Sequence, residues 1–133
     1  MKTKRIRSRE VAMEILYQMQ FRPSEQYANI LLQYVEEELD QEYLSTVLDF
    51  VSKNSEEYDR KIAEHLVEWK LERLSRLERS ILRLALAEIY GVPEIDFRVT
   101  VAEAVELAKR YCDEKSGRFI NGLLRNFEHE KPA

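Results

Sequence analysis

Apolar residues recur along the chain at helical spacing. Val11, Ala12, Ile15, Leu16 and Met19 make one stripe, and Ser8 just ahead of it suits an N-cap. Arg22-Pro23-Ser24 ends that segment and caps the next, where Tyr27, Ile30, Leu31, Tyr34 and Val35 form a second stripe trailing into Glu36-Glu37-Glu38. Asp40 then caps a third helix carrying Tyr43, Leu44, Val47, Leu48 and Val51. Lys53-Asn54-Ser55 marks a break before a fourth helix with Tyr58, Ile62, Leu66 and Trp69, and Leu71 and Leu74 fall in a short connection.

The second half is punctuated more sharply. Ser75-Arg76-Leu77-Glu78 is a capping box, in which two side chains satisfy free backbone amides reciprocally. Leu77, Ile81, Leu82, Leu84, Ala85 and Ile89 fill a wide apolar face behind it. Gly91 fits a left-handed cap, and Pro93 blocks continuation. Thr100-Val101-Ala102-Glu103 reads as a second capping box, opening a helix with Val101, Ala104, Val105 and Ala108; Asp96 to Val99 before it suits an extended link. Ser116 caps the last helix, with Phe119, Ile120, Leu123, Leu124 and Phe127 facing inward. The pattern predicts an all-α fold of about seven helices in two packed three-helix subdomains, about 8–70 and 75–128, preceded by a basic arm at 1–7.

Composition supports this. Only 3 Gly and 3 Pro occur in 133 residues, too few for the turns of an all-β fold, and 35% charged residues suit many solvated helix faces. With 44% hydrophobic residues the chain can bury a core without a metal or disulfide. The lone Cys112 cannot pair internally, fits a reducing compartment, and reads as a structural thiol. No run approaches the ~20 apolar residues that span a membrane. The first residues are basic with no apolar run behind them, unlike a secretory signal. The expected location is cytoplasmic.

Charge is unevenly placed. Lys2, Lys4, Arg5, Arg7 and Arg9 precede the first acid, Glu10, so residues 1–9 carry +5 and the rest −9 of a net −4. A polyanion is drawn to one end of such a molecule. The basic run reads either as a solvated tail or as an arm that orders onto nucleic acid, contacting phosphates through forked hydrogen bonds. The acidic body excludes a generic nucleic-acid coat protein.

Catalytic signatures are missing. The sequence has no Gly-rich phosphate loop, no zinc-ligand spacing and no Glu-x-x-His pattern of a carboxylate-bridged metal bundle: His65 has Ile62 three residues before it. No catalytic residue, metal or cofactor is expected. The segment from Arg110 to Gly122 stands out as a charged helix connection running into Phe119. Gly122 inside a helix costs about 1 kcal/mol relative to Ala, which points to core packing or to close approach by another helix.

Four blocks carry a resemblance. They are Arg9-Glu10-Val11-Ala12-Met13-Glu14-Ile15-Leu16-Tyr17, the stretch Leu77 to Glu88, the stretch Val101 to Lys109, and Phe119-Ile120-Asn121-Gly122-Leu123-Leu124. In this order and spacing they resemble the NusB family of bacterial transcription antitermination factors, over nearly the whole chain. The resemblance implies a non-catalytic helical protein that binds single-stranded boxA RNA of ribosomal RNA operon transcripts together with the ribosomal protein NusE, within the RNA polymerase antitermination complex. By position it implies RNA contacts at Lys4, Arg5, Arg7 and Arg9, and a NusE-facing side at Tyr17, Glu78, Arg118 and Phe119. Ile6 and Ser8 interrupt the arginine pattern, and Glu114-Lys115 stands where relatives can carry two acids. Two other readings are a homodimer or protein-interaction module without RNA specificity, and the RNA-binding module that certain ribosomal RNA cytosine methyltransferases carry ahead of a catalytic domain.

Overall fold

The computed structural model describes residues 3–66 and 73–131. Lys2, Trp69 and Leu71 of the sequence reading lie outside the described residues. Within them the chain forms six α-helices and no strand: α1 (Lys4–Phe21), α2 (Tyr27–Leu31), α3 (Gln41–Ala63), α4 (Arg76–Gly91), α5 (Phe97–Tyr111) and α6 (Glu114–Leu124), with 3-10 turns at Leu32–Tyr34 and Arg125–Glu130.

The central helix is α4, which packs against α1, α3, α5 and α6. Ser75 and Glu78 cap it as a reciprocal box, as the sequence predicts. Every residue from Ser80 to Ile89 is buried except Arg83, which is half-buried and held by Asp59. One continuous core runs through both halves, with Val11, Ala12 and Ile15 from α1, Leu44, Val47 and Leu48 from α3, and Ala108, Ile120 and Leu124 from α5 and α6 all fully buried.

Three expected caps differ. α1 starts at Lys4 with Thr3 as N-cap, its hydroxyl accepting from the Ile6 amide at 3.1 Å; Ser8 is instead buried and accepts from the Asp40 amide at 2.7 Å. The basic run after Thr3 is therefore helical, not a loose arm. α5 starts at Phe97 under Asp96, so the segment expected to be extended is helical, and Thr100 sits inside the helix with its hydroxyl donating to Glu88 Oε1 at 2.9 Å. α6 is capped by Asp113, and Ser116 donates to Glu78 Oε2 at 2.6 Å. In each case a residue three to five positions upstream caps, and the hydroxyl is spent across the core.

The expected break at Lys53-Asn54-Ser55 is a kink within α3. Asn54 leaves helical geometry (φ −127°, ψ 16°), and its side-chain amide donates to the Phe50 carbonyl one turn back at 2.9 Å. Asp40 caps α3 as predicted, accepting from the Tyr43 amide at 3.0 Å. Gly91 is the last helical residue of α4 rather than a left-handed cap, and Val92 follows at φ −127°. Its role is close approach: a Cβ there would stand 2.8 Å from the Phe50 ring. Gly122 is not a packing contact, since it is exposed with no atom within 4 Å of a built Cβ.

Candidate nucleic-acid and partner interfaces

The first turns of α1 present Lys4, Arg5 and Arg7. Lys4 is exposed. Arg5 donates to Asp40 Oδ2 through Nε at 3.2 Å and Nη2 at 2.9 Å, and its guanidinium lies 4.6 Å from the Tyr43 ring centre. The Asp40 carboxyl is held below its ordinary value, first by the Tyr43 amide that it caps and then, against some burial, by Arg5.

Arg7 is the hub of a larger set. Its Nε and Nη2 grip the two oxygens of Glu37 at 2.7 and 2.9 Å, a two-pronged fork. The other edge, Nη1, donates to Glu10 at 3.2 Å and Glu14 at 3.3 Å. Glu14 also accepts from the hydroxyls of Tyr34 at 3.0 Å and Tyr111 at 3.3 Å, and Arg110 donates to Glu10. The bond donated to Glu37 does most to raise the Arg7 guanidinium, and the same bond lowers the Glu37 carboxyl. The face is thus a lattice of paired charges drawn from α1, the loop before α3, and the end of α5.

Arg9 departs from the expectation of an RNA contact. It is 4% exposed, and its Nε donates to Glu88 Oε2 at 2.6 Å. Tyr43 and Thr100 also donate to Glu88, and all four side chains are buried. Burial alone would lower the Arg9 guanidinium, but Glu88, Tyr43 and Glu103 outweigh it and the net shift is upward. Arg9 is a core ion pair joining α1 to α4, and it is not presented to solvent.

Of the residues expected on the partner side, Glu78 stands in the first turn of α4. Glu78 accepts from the Ser75 amide at 3.1 Å and from Ser116 of α6, so it serves both cap and inter-helix tie. One turn beyond Ser116, Phe119 is half-buried against the core, with Arg118 exposed beside it. On the opposite flank Tyr17 meets Phe21 edge-on at 5.2 Å. Phe21 is 56% exposed, with the Arg76 guanidinium 4.5 Å from its ring centre. Gln20 ties the two helices, donating to the Arg76 carbonyl at 2.7 Å and to Ser80 Oγ at 2.6 Å. Next to this stack opens a cleft of about 780 Å³, lined by Tyr27, Asp49, Arg76, Arg79 and Arg83 among others. Arg83 is held there by Asp59 at 2.8 and 2.6 Å.

Sequence reasoning missed Glu37, Asp40, Glu14, Tyr34 and Arg110 on the first face and Phe21 and Arg76 on the second. The acidic run at 36–38 was visible, but nothing local shows that its middle member meets Arg7. Among the described residues, no cluster of His, Cys, Asp and Glu is placed to hold a metal ion, and no helix is long and apolar enough to cross a membrane. The Cys112 thiol is half-buried, and burial pushes its pKa up, away from reactive thiolate.

The geometry defines an all-helical bundle with one ion-paired guanidinium face and one aromatic face around a capped helix. The model of the NusB family matches residues 6–129, and the chain belongs to that family. Similar curated relatives are the transcription antitermination protein NusB of Acetivibrio thermocellus, 46% identical over 88% of this chain and 83% of the relative, and that of Bacillus mycoides, 45% identical over 94% and 97%. Among solved structures, NusB of T. maritima is similar with a TM-score of 0.89 at 36% identity, covering 100% of this chain and 96% of that one. A structure of the antitermination factors NusB and NusE in complex with dsRNA is similar with a TM-score of 0.83 at 28% identity, covering 98% of this chain and 99% of that one.

Proposed function

We propose that this chain is a non-catalytic, cytoplasmic transcription antitermination factor. It binds single-stranded boxA RNA of ribosomal RNA operon transcripts together with NusE, as part of the RNA polymerase antitermination complex. The observation that carries the RNA-and-NusE reading is similarity over 98% of this chain to a NusB solved with NusE and dsRNA. The two faces described above fit two partners. Lys4, Arg5 and Arg7 contact phosphates; Arg9 holds the helix that bears them. Tyr17, Glu78, Arg118 and Phe119 face the protein partner, with α1–α3 and α4–α6 as two subdomains sharing one core.

The test is RNA binding with and without NusE, boxA against a scrambled sequence of equal length, across salt. Three phosphate contacts give a slope of log affinity against log salt of roughly −2 for a single strand. Replacing Lys4, Arg5 and Arg7 together with Ala flattens it. Equal affinity for the scrambled RNA overturns boxA recognition, and an unchanged slope overturns the role of α1. For the partner face, Phe119→Ala weakens NusE association while circular dichroism stays unchanged; loss of helicity instead assigns Phe119 to the core.

A further inference from the structure

The guanidinium edge that best suits a phosphate is already occupied. Arg7 presents Nε and Nη2 as a fork, and the Glu37 carboxylate fills both prongs at 2.7 and 2.9 Å. A phosphate takes the same bidentate seat, with the same charge-assisted geometry. The two cannot share it.

The other edge of Arg7 is held differently. Nη1 reaches Glu10, which is almost fully buried, and Glu14, which two tyrosine hydroxyls also fix. These bonds keep the side chain aimed when the fork is vacated. Among the described residues the Glu37 side chain bonds Arg7 alone, and only its amide is tied down, donating to the Tyr34 carbonyl at 3.0 Å. Glu37 lies in the loop between the 3-10 turn and α3, with a side chain 38% exposed, between the exposed Glu36 and Glu38 and after Val35 at 74% exposure. The neighbouring pair is not equivalent: Asp40, which takes Arg5, also caps α3 through the Tyr43 amide, so its position is fixed by the fold.

We propose that Glu37 is a resident phosphate mimic, and that RNA gains Arg7 by displacing the Glu37 carboxylate from the Nε/Nη2 fork while Glu10 and Glu14 keep the guanidinium in place. This rests on the reading of α1 as an RNA contact. Glu37 thereby sets the affinity of the face: it masks Arg7 against weak polyanions and yields to a ligand held by further contacts.

The test compares wild type, Glu37→Gln, Glu36→Gln, Arg7→Ala and the Arg7→Ala/Glu37→Gln double variant. Each is titrated with one fluorescein-labelled single-stranded boxA RNA at low and high salt, after far-UV circular dichroism confirms equal helicity. Glu37→Gln binds about two- to fivefold tighter at low salt, the range expected from releasing one exposed ion pair, and the gain shrinks as salt rises. Glu36→Gln makes the same charge change one residue away and gains less. In the Arg7→Ala background the Glu37 substitution has no effect. The proposal is overturned if both glutamine variants gain equally, if the gain survives without Arg7, or if Glu37→Gln gains nothing while Arg7→Ala binds more weakly. Wild-type affinity in Arg7→Ala overturns the RNA contact at α1 itself, and is told apart from the other outcomes by that variant alone.

Discussion

Arg7 and Arg9 stand two residues apart on α1, and each holds a glutamate from elsewhere in the fold. The Arg7 side chain is 30% exposed and its partner Glu37 38%; for Arg9 and Glu88 the figures are 5% and 1%. Distances do not separate the pairs, since the shortest bonds are 2.7 and 2.6 Å. Burial separates them. In water a guanidinium that loses its carboxylate is resolvated, so an exposed pair adds at most about 1 kcal/mol. In the core the abandoned partner has no water to turn to, and breaking the pair is strongly destabilising. The same residue type is an exchangeable contact in one place and a structural bolt in the other.

The largest expected effect tests the bolt. Arg9→Ala lowers unfolding stability in urea by about 3–5 kcal/mol, because Glu88 is left buried with its charge uncompensated. Removing both charges with Arg9→Met and Glu88→Leu recovers most of that loss if the cost is electrostatic rather than a matter of packing. Whatever loss remains in the pair measures the buried Tyr43 and Thr100 hydroxyls, which lose Glu88 as their acceptor. Next in size, Gly91→Ala costs about 1–3 kcal/mol by driving a methyl into the Phe50 ring. It leaves both faces chemically intact, so RNA and NusE binding at a temperature where it is folded should match wild type. Smallest is Arg7→Ala, which shifts stability by about 1 kcal/mol, because Arg110 still pairs the buried Glu10 that Arg7 also holds, while weakening RNA binding and making the salt slope shallower by roughly 0.7. A loss of stability as large as that of Arg9→Ala would erase the distinction between the two pairs.

Opposite ends of the pH scale sharpen the same contrast. Asp40 and Glu37 are lowered in the folded state. A depressed carboxyl contributes stability above its unfolded value of about 4, lost as pH falls through the folded value. Acid therefore releases the surface pairs. Tyr43 in the core is raised well above its ordinary value, by burial first and by Glu88 second. The folded protein then holds that proton more tightly than the unfolded chain, so stability falls as pH climbs beyond about 10. Urea midpoints across pH read both limbs. Tyr43→Phe makes the alkaline limb shallower without abolishing it, since Tyr27, Tyr34, Tyr58, Tyr90 and Tyr111 are raised too, and leaves the acid limb unchanged.

The legible part of the fold was what neighbours in sequence decide. The helical class, most of the apolar stripes and the Ser75–Glu78 box came through, because both members of each interaction sit within a turn or two; the second stripe did not, since α2 stops at Leu31 and Val35 is exposed. Asp40 was also read correctly as the cap of α3. Ser8, Thr100 and Ser116 were read as caps because a hydroxyl before an apolar stripe has that local chemistry. Thr3, Asp96 and Asp113 cap instead, and each hydroxyl bonds a group from a distant segment. The break at Asn54 had the right place but a milder form, since packing of α3 against α4 carries the helix through it.

The basic end shows the same division. The sequence alone determined that five cations precede the first acid, and that an all-helical body of opposite sign follows. It did not determine which of those cations face water. Helical phase, set by where α1 begins and by its docking on α4, turns Arg9 inward to Glu88 and leaves Arg7 outward with Glu37. That choice belongs to tertiary structure: the value of a charge is fixed by the dielectric and the partners around it, and both are supplied by segments 30 and 79 residues away along the chain.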